Sequence, residues 1–137
     1  MWRIGLSVVK AGKETVGLIE KFQLKESGFG GNVIADSGQI GHLASTFAII
    51  CTLGVIGERD GFDIVKRQEL KDWLMELKVK ETGAFRMHVL DGEIDVRAVY
   101  CAIVAALLTG ILDEELIAGV EDWIIGCQSW EGNGWFD

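Results

Sequence analysis

Apolar side chains recur at helical spacing along most of the chain. Val16, Ile19 and Phe22 follow one another at three-residue intervals and predict a helix over Thr15–Phe22. A second stripe predicts an amphipathic helix over Lys66–Lys78; its members are Leu70, Trp73, Leu74 and Leu77. No segment alternates between apolar and polar residues as a strand does, so the pattern predicts an all-α protein.

Two further predicted helices are apolar nearly all round. They span His42–Ile56 and Val96–Leu108, and Asp95 is a natural N-cap for the second. Helices of this kind are expected to be buried, whereas amphipathic helices are expected to lie outside. The last helix, Glu114–Cys127 with Asp113 as its cap, is amphipathic. The alternation of inner and outer helices predicts stacked helical hairpins.

A Gly-containing phrase follows each amphipathic helix. The three copies span Phe22–Phe29, Leu77–Phe85 and Cys127–Gly132. In this alignment Gly28 lies 55 positions before Gly83, and Gly83 lies 49 positions before Gly132. A period near 50 residues is typical of a hairpin array, in which each unit buries its apolar face on its neighbours. We therefore expect residues 1–137 to form a single domain.

Composition and charge narrow the possible partners. The chain has 137 residues and is 49% apolar, enough for one domain with a core. Its 13 basic and 21 acidic residues give a net charge of −8, which disfavours binding to nucleic acid. Three widely spaced cysteines argue against a disulfide framework and favour a reducing, cytosolic compartment. No apolar stretch reaches the length of a membrane span.

Candidate polar residues are few. Arg97 lies in the first turn of an apolar helix, so we expect it to pair with Asp95 or Glu93, to face a cavity, or both. Tyr100 lies three residues further on and shares that face, and we expect it to be a core residue whose hydroxyl has a hydrogen-bond partner. His42 is expected to be a cap or turn residue. Two His and three Cys lie too far apart in sequence for a metal motif, so no metal site is expected in this chain.

Three phrases nevertheless resemble a known family. Residues 42–48, His-Leu-Ala-Ser-Thr-Phe-Ala, resemble the His-Leu-Ala-Pro-Thr-Tyr-Ala phrase of the protein prenyltransferase β subunits. Residues 87–102 resemble that family's Met-His-x-x-Gly-Glu-x-Asp-x-Arg-x-x-Tyr-Cys-Ala segment, with one extra residue before Gly92. Residues 127–132, Cys-Gln-Ser-Trp-Glu-Gly, resemble its Cys-Gln-x-Trp-Glu-Gly phrase. The Met-His phrase, the Tyr after Arg97 and the Trp-Glu-Gly phrase favour the farnesyltransferase branch.

The resemblance implies a fold and an activity. It implies an α/α barrel, or toroid, of six helical hairpins, of which about three are present here. The complete enzyme would pair this β subunit with an α subunit and transfer farnesyl from farnesyl diphosphate to the Cys of a C-terminal Cys-a-a-X motif. Zinc would be its cofactor, with ligands outside this chain, so we expect no catalytic residue here and no activity from the chain alone.

The resemblance also assigns binding roles. Arg97 and Tyr100 would line the isoprenoid pocket. His42, Ala44 and Ser45, and more loosely Trp2, would form the peptide-binding end. Other functions remain open: a geranylgeranyltransferase β subunit, a related terpene-cyclase-like barrel, or a helical-repeat binding module without activity. With apolar residues at both ends, the chain is also expected to self-associate or to require a partner.

Overall fold

The computed structural model describes residues 12–25, 28–31, 38–57 and 61–128. Its α-helices are residues 12–19 (α1), Leu43–Ile56 (α2), Arg67–Leu77 (α3), Val96–Thr109 (α4), Glu114–Ile117 (α5) and Val120–Gly126 (α6). Short 3₁₀ turns occupy Glu20–Phe22 and Gly61–Ile64. Within these ranges β structure is limited to isolated bridges, so the all-α prediction is confirmed. No helix there is long and apolar enough to span a bilayer.

Side chains at the helix starts set the boundaries that the sequence predicted. The Asp95 Oδ1 atom accepts a hydrogen bond of 3.0 Å from the Ala98 amide and caps α4. Asp113 caps α5 in the same way through the Leu116 amide. Helices α2 and α4 both end at a glycine in the left-handed conformation, where a side chain would be strained.

The core lies between the two apolar helices and the outer helix α3. Helices α2 and α4 form the most extensive helix pair in the described structure, and α3 packs beside α4. The predicted stripe of α3 is fully buried; it comprises Leu70, Trp73, Leu74 and Leu77. Burying a large aliphatic or aromatic side chain contributes roughly 1.5–3 kcal/mol, so this stripe is the main attachment of α3.

The predicted last helix is wrong in one respect. Instead of one helix over Glu114–Cys127, the chain forms α5 and α6 with a break at Ala118 and Gly119. Gly119 has φ +75°, a conformation that leaves the helix, and its backbone lies against Gly83. A Cβ atom on Gly83 would come within 2.3 Å of the Gly119 carbonyl carbon. Val120 of α6 is buried whereas Glu121 and Asp122 are exposed, so α6 keeps an apolar and a polar face after the break.

The prediction that the apolar helices are buried all round is also wrong in part. One face of each is open to solvent: Val55 of α2 is 88% exposed, and Tyr100 and Leu107 of α4 are 59% and 60% exposed. The opposite faces, including Ile50 and Ala105, are fully buried. No described element covers the open faces, so these helices carry apolar residues both for the core and for a surface.

Candidate functional site

The open face of α2 and α4 brings two aromatic rings together. The Tyr100 ring packs on the Phe47 ring at a centroid distance of 5.3 Å and an interplanar angle of 57°. Phe47 follows the cap of α2 by five positions, and Tyr100 follows the cap of α4 by five. Contact at equal heights means that the two helices run parallel, with their N-termini at the same end. This aromatic pair therefore lies in the second turn of both helices.

Arg97 lies at that end, held by Asp95. The Asp95 Oδ2 atom accepts a hydrogen bond of 2.8 Å from Nε and a second, shorter one from Nη2. One carboxylate therefore caps α4 with one oxygen and holds the guanidinium with the other. The predicted pairing with Asp95 is confirmed. The Arg97 side chain is 72% exposed at the edge of the open face, so the ion pair lies at the surface.

The ion pair is electrostatically stable at neutral pH. Partial desolvation of the Asp95 carboxyl would raise its pKa, but hydrogen bonds from Arg97 and the Ala98 amide outweigh this, and the pKa lies below its usual value. The hydrogen bond to Asp95 raises the Arg97 pKa further. Arg97 is therefore a permanent cation with a defined position. Its exposed edge can contact a ligand while Asp95 holds the other edge.

The residues predicted for the peptide end surround the start of α2. His42 caps α2, its Nδ1 atom accepting a hydrogen bond of 3.2 Å from the Ala44 amide, as predicted for a cap residue. Ala44 is exposed and Ser45 half-buried. His42 and Ser45 line an open depression of about 490 Å³, together with Ile40 and the Gly38 backbone. This depression and Arg97 occupy the same end of the parallel helix pair.

Trp2, the remaining predicted site residue, lies outside the described residues. The structure therefore brings His42, Ala44 and Ser45 to one end with Arg97 and Tyr100, and leaves the role of Trp2 as a prediction.

Two imidazoles come close at this end. The His42 and His88 rings are 5.7 Å apart between centroids, and the His88 Nδ1 atom is buried with no hydrogen-bond partner. Within the described ranges no three His, Cys, Asp or Glu side chains converge as metal ligands would. The three cysteines are free thiols. The donor set around His42 and His88 therefore does not fit a zinc site, which takes three or four protein ligands.

An apolar groove adjoins the aromatic pair on α4. It has a volume of about 250 Å³ and runs between α4 and α6; its walls are Val96, Val99, Tyr100, Ile103, Val104, Val120 and Ile124. Tyr100 thus borders both the open face and this groove. Polar atoms contribute little to the walls. A surface of this kind can hold an apolar chain or helix but offers no group for acid–base chemistry.

Sequence pattern alone misses two members of the site. Phe47 carries no signal of its own, although it stands where the resembling phrase has an aromatic Tyr. His88 has the pattern of an ordinary loop residue, and its contact with His42 depends on a loop that no local pattern predicts. The positive φ of Asp91 (51°) and the close approach of Gly92 to the His88 backbone shape that loop.

Comparisons with known proteins agree with the all-α fold. The family described as "Prenyltransferase alpha-alpha toroid domain" matches residues 6–134. The β subunit of protein farnesyltransferase from Pisum sativum is 40% identical over 118 residues, covering 86% of this chain and 27% of the relative. The Arabidopsis thaliana β subunit is 37% identical over 117 residues (85% and 23%), and that of Saccharomyces cerevisiae 40% over 109 residues (77% and 24%). The chain spans about a quarter of the length of these relatives.

Proposed function

Because the chain belongs to the prenyltransferase alpha-alpha toroid family, we propose that it is part of a protein farnesyltransferase β subunit. The complete enzyme would transfer the farnesyl group of farnesyl diphosphate to the Cys of a C-terminal Cys-a-a-X motif. The observation that carries this proposal is the open apolar face of α2 and α4, with an aromatic pair and a fixed cation at one end. Its proposed partners are an α subunit and proteins that carry the motif.

The open face suits an isoprenoid. A farnesyl chain has no polar atoms beyond its diphosphate end, so it binds where apolar walls exclude water. Tyr100 and Phe47 would supply such a wall, and the tilted packing of each ring on the other holds both in place. Arg97 would line the same pocket where it nears the peptide, its guanidinium oriented by Asp95.

The start of α2 would form the peptide end. His42 and Ser45 line the open depression, Ala44 lies between them in sequence, and the depression is at the same end of the helix pair as Arg97. A peptide that reached from the depression to the open face would meet the isoprenoid near Arg97. In this role His42 would contribute ring surface and its Nε2 atom, since its Nδ1 atom caps α2.

Zinc belongs to the complete enzyme in this proposal. The described residues provide no zinc site, so no step of the reaction passes through a metal held by them. The residues of this chain bind and orient; the nucleophile would be the thiol of the protein substrate. The cytosolic location, the absence of metal from this chain and its inactivity alone remain predictions.

Calorimetric titration of the 137-residue chain with farnesyl diphosphate tests the proposal. We expect saturable binding that inorganic diphosphate does not compete away. Tyr100→Glu should weaken it at least about tenfold, because a charge would be desolvated in the apolar wall. Ile117→Glu, at an exposed apolar residue of α5 that belongs neither to the open face nor to the groove, should leave it unchanged.

Arg97→Gln should weaken farnesyl diphosphate or peptide binding, whereas Lys80→Gln, which removes one charge elsewhere, should not. Absence of any isoprenoid binding would contradict the proposal and favour a binding module without activity. Preference for geranylgeranyl diphosphate would reassign the chain to the geranylgeranyltransferase branch.

A further inference from the structure

Two of the three free thiols lie on neighbouring helices beside the aromatic pair. Cys51 is half-buried on α2, Cys101 is buried on α4, and these helices form the most extensive helix pair in the described structure. We propose that Cys51 and Cys101 form a dithiol site, which small disulfide molecules oxidise to a Cys51–Cys101 disulfide. The proposal concerns thiol chemistry alone, so it does not depend on the proposed enzymatic function.

Helix geometry places Cys51 on the edge of α2 that meets α4. Phe47 marks this edge, because its ring packs on the Tyr100 ring of α4. Cys51 follows Phe47 by four positions, and residues four apart lie one above the other on the same side of a helix. The Cys51 thiol therefore lies one turn beyond the aromatic pair, on the side of α2 that faces α4.

Cys101 lies on the edge of α4 that faces α2. The other edge of α4 lines the groove toward α6 through Val99 and Ile103, and Cys101 does not line that groove. Ala98 and Ala105, three positions before Cys101 and four after it, share its side of the helix and are fully buried. Cys101 therefore lies where the buried side of α4 meets α2.

The heights of the two cysteines along the parallel helices are also compatible with a bond. Cys51 lies nine positions after the cap of α2, and Cys101 lies six positions after the cap of α4. With equal heights at the aromatic pair, the difference of three residues is an axial offset of about 4.5 Å. A disulfide joins Cα atoms that are about 4.4–6.8 Å apart, so the offset leaves the bond within reach.

The two thiols interact electrostatically as well. Burial raises the pKa of the Cys101 thiol above its ordinary value, and the charges of Asp95 and of an ionised Cys51 raise it further, whereas Arg97 lowers it. A charge on the Cys51 sulfur is therefore felt at Cys101, as expected for thiols on facing edges of two helices.

Exposure sets the order of the reaction. The half-buried Cys51, as a thiolate, attacks one sulfur of the small disulfide; that S–S bond breaks, and one small thiolate leaves. The Cys101 thiolate then attacks the Cys51 sulfur in the mixed disulfide and expels the second small thiolate. The two protons lost by the protein thiols are taken up by the two released thiolates. Two protein thiols are thus oxidised, and one small disulfide is reduced to two thiols.

Incubation of the folded 137-residue chain with glutathione disulfide tests the proposal. We expect the number of thiols that iodoacetamide labels to fall from three to one, and peptide mapping to find Cys51 linked to Cys101 with Cys127 free. The oxidised chain should unfold at a higher urea concentration, because the bond closes a loop of 50 residues (101 minus 51) and restricts the unfolded state. Dithiothreitol should restore the three thiols and the original urea midpoint.

Serine variants separate the two steps. Cys101→Ser should stop at a mixed disulfide on Cys51, whereas Cys51→Ser should react at least about tenfold more slowly, because the remaining thiol of the pair is buried. Cys127→Ser is the matched control: it removes a thiol outside the pair, and its two remaining thiols should be lost at the wild-type rate. Circular dichroism checks that each variant is folded.

Any of three results would overturn the proposal. These are the persistence of all three thiols, a main disulfide of the folded chain that includes Cys127, or a urea midpoint that oxidation leaves unchanged or lowers. The last result would mean that the bond forms only by distorting the folded helix pair.

Discussion

The two turns that follow α1 and α3 are closed by the same pattern of backbone hydrogen bonds, but glycine has a different role in each. In the first, the Leu24 amide donates to the Gly28 carbonyl and the Gly30 amide to the Phe22 carbonyl. In the second, the Val79 amide donates to the Ala84 carbonyl and the Arg86 amide to the Leu77 carbonyl. By these bonds Gly28 corresponds to Ala84 and not to Gly83, the residue with which the repeated phrase aligns it. The second turn is one residue longer.

Each glycine is therefore required for its own reason. A Cβ atom on Gly28 would lie 2.5 Å from the Trp73 indole and 2.4 Å from the Thr46 hydroxyl, so Gly28 makes room for side chains. Gly83 lies in the longer turn; it has φ +83° and touches the backbone of Gly119. The same sequence phrase thus occurs in two turns that pack differently, and the residues around each turn determine how its glycine packs.

In each turn, the residue that forms the isolated β-bridge has a polar side chain that hydrogen-bonds to the next outer helix or to the residues just before it. With its amide oriented to satisfy both neighbours, Gln23 donates to the Ile64 carbonyl (2.8 Å) and accepts from the Lys66 amide just before α3. Lys78 takes that position in the second turn: its Nζ atom donates to the Leu116 carbonyl (2.7 Å) and lies 4.9 Å from the centre of the Phe85 ring. Gln23 and Lys78 therefore have the same structural role in the first two copies of the repeated phrase.

The strongest way to break the comparison is Gly83→Ala. The new side chain would meet backbone atoms of Gly119 that cannot rotate away, and a left-handed backbone at a non-glycine residue costs about 1–2 kcal/mol by itself. With overpacking added, we expect the free energy of unfolding to fall by roughly 2–5 kcal/mol. Urea denaturation measures this.

Gly110→Ala is the control for that prediction. Gly110 has φ +73°, but a Cβ atom added there would meet no other atom within 4 Å, so only the backbone cost should appear. Equal losses for Gly83 and Gly110 would mean that the contact with Gly119 contributes nothing.

Gly28→Ala should destabilise the chain less than Gly83→Ala does. The obstacles here are side chains, which can shift, so we expect a loss of about 1–3 kcal/mol. The tryptophan fluorescence spectrum of the folded protein should change, because the Trp73 indole must move. An unchanged stability and spectrum would show that the first turn does not press on α3.

Thr46→Val tests the polar contact that closes the first turn. The Thr46 hydroxyl is fully buried and accepts a hydrogen bond of 2.9 Å from the Phe29 amide. Valine has nearly the same shape but leaves that amide unpaired, which should cost about 1–2 kcal/mol. Thr52→Val on the exposed side of the same helix should change the unfolding free energy by less than about 0.5 kcal/mol. Similar effects at both positions would contradict this account.

Lys78→Gln gives the second turn the same side chain that the first turn has at this position. Of these substitutions it should have the smallest effect on the free energy of unfolding. Burial lowers the pKa of Lys78 below 10.5, so in the interval just below 10.5 the folded chain binds fewer protons than the unfolded chain. Stability from this group therefore rises with pH across that interval. We expect that rise to disappear in Lys78→Gln, with a change of less than about 1 kcal/mol at neutral pH. A pH series of denaturation curves measures both, and an unaltered alkaline rise would place its origin elsewhere.

Much of the local structure follows from short-range chemistry and was predictable. Asp95, Asp113 and His42 start helices because a side-chain acceptor beside an apolar period satisfies the free amides of the first turn. The stripe of α3 is buried as predicted, because a helix with one apolar face has one way to remove it from water. The family resemblance rests on the same local phrases.

Long-range contacts decided the rest. The break between α5 and α6 depends on the contact between Gly83 and Gly119, which are 36 positions apart. The sequence around Gly119 does not predict that contact. The exposure of Arg97 and Tyr100 depends on which elements pack against α4. The sequence of an apolar helix is the same whether its second face is buried in the core or exposed to solvent. Sequence period reports which residues share a face, because it reflects helix geometry; what that face touches is a property of packing between distant segments, which only the tertiary structure contains.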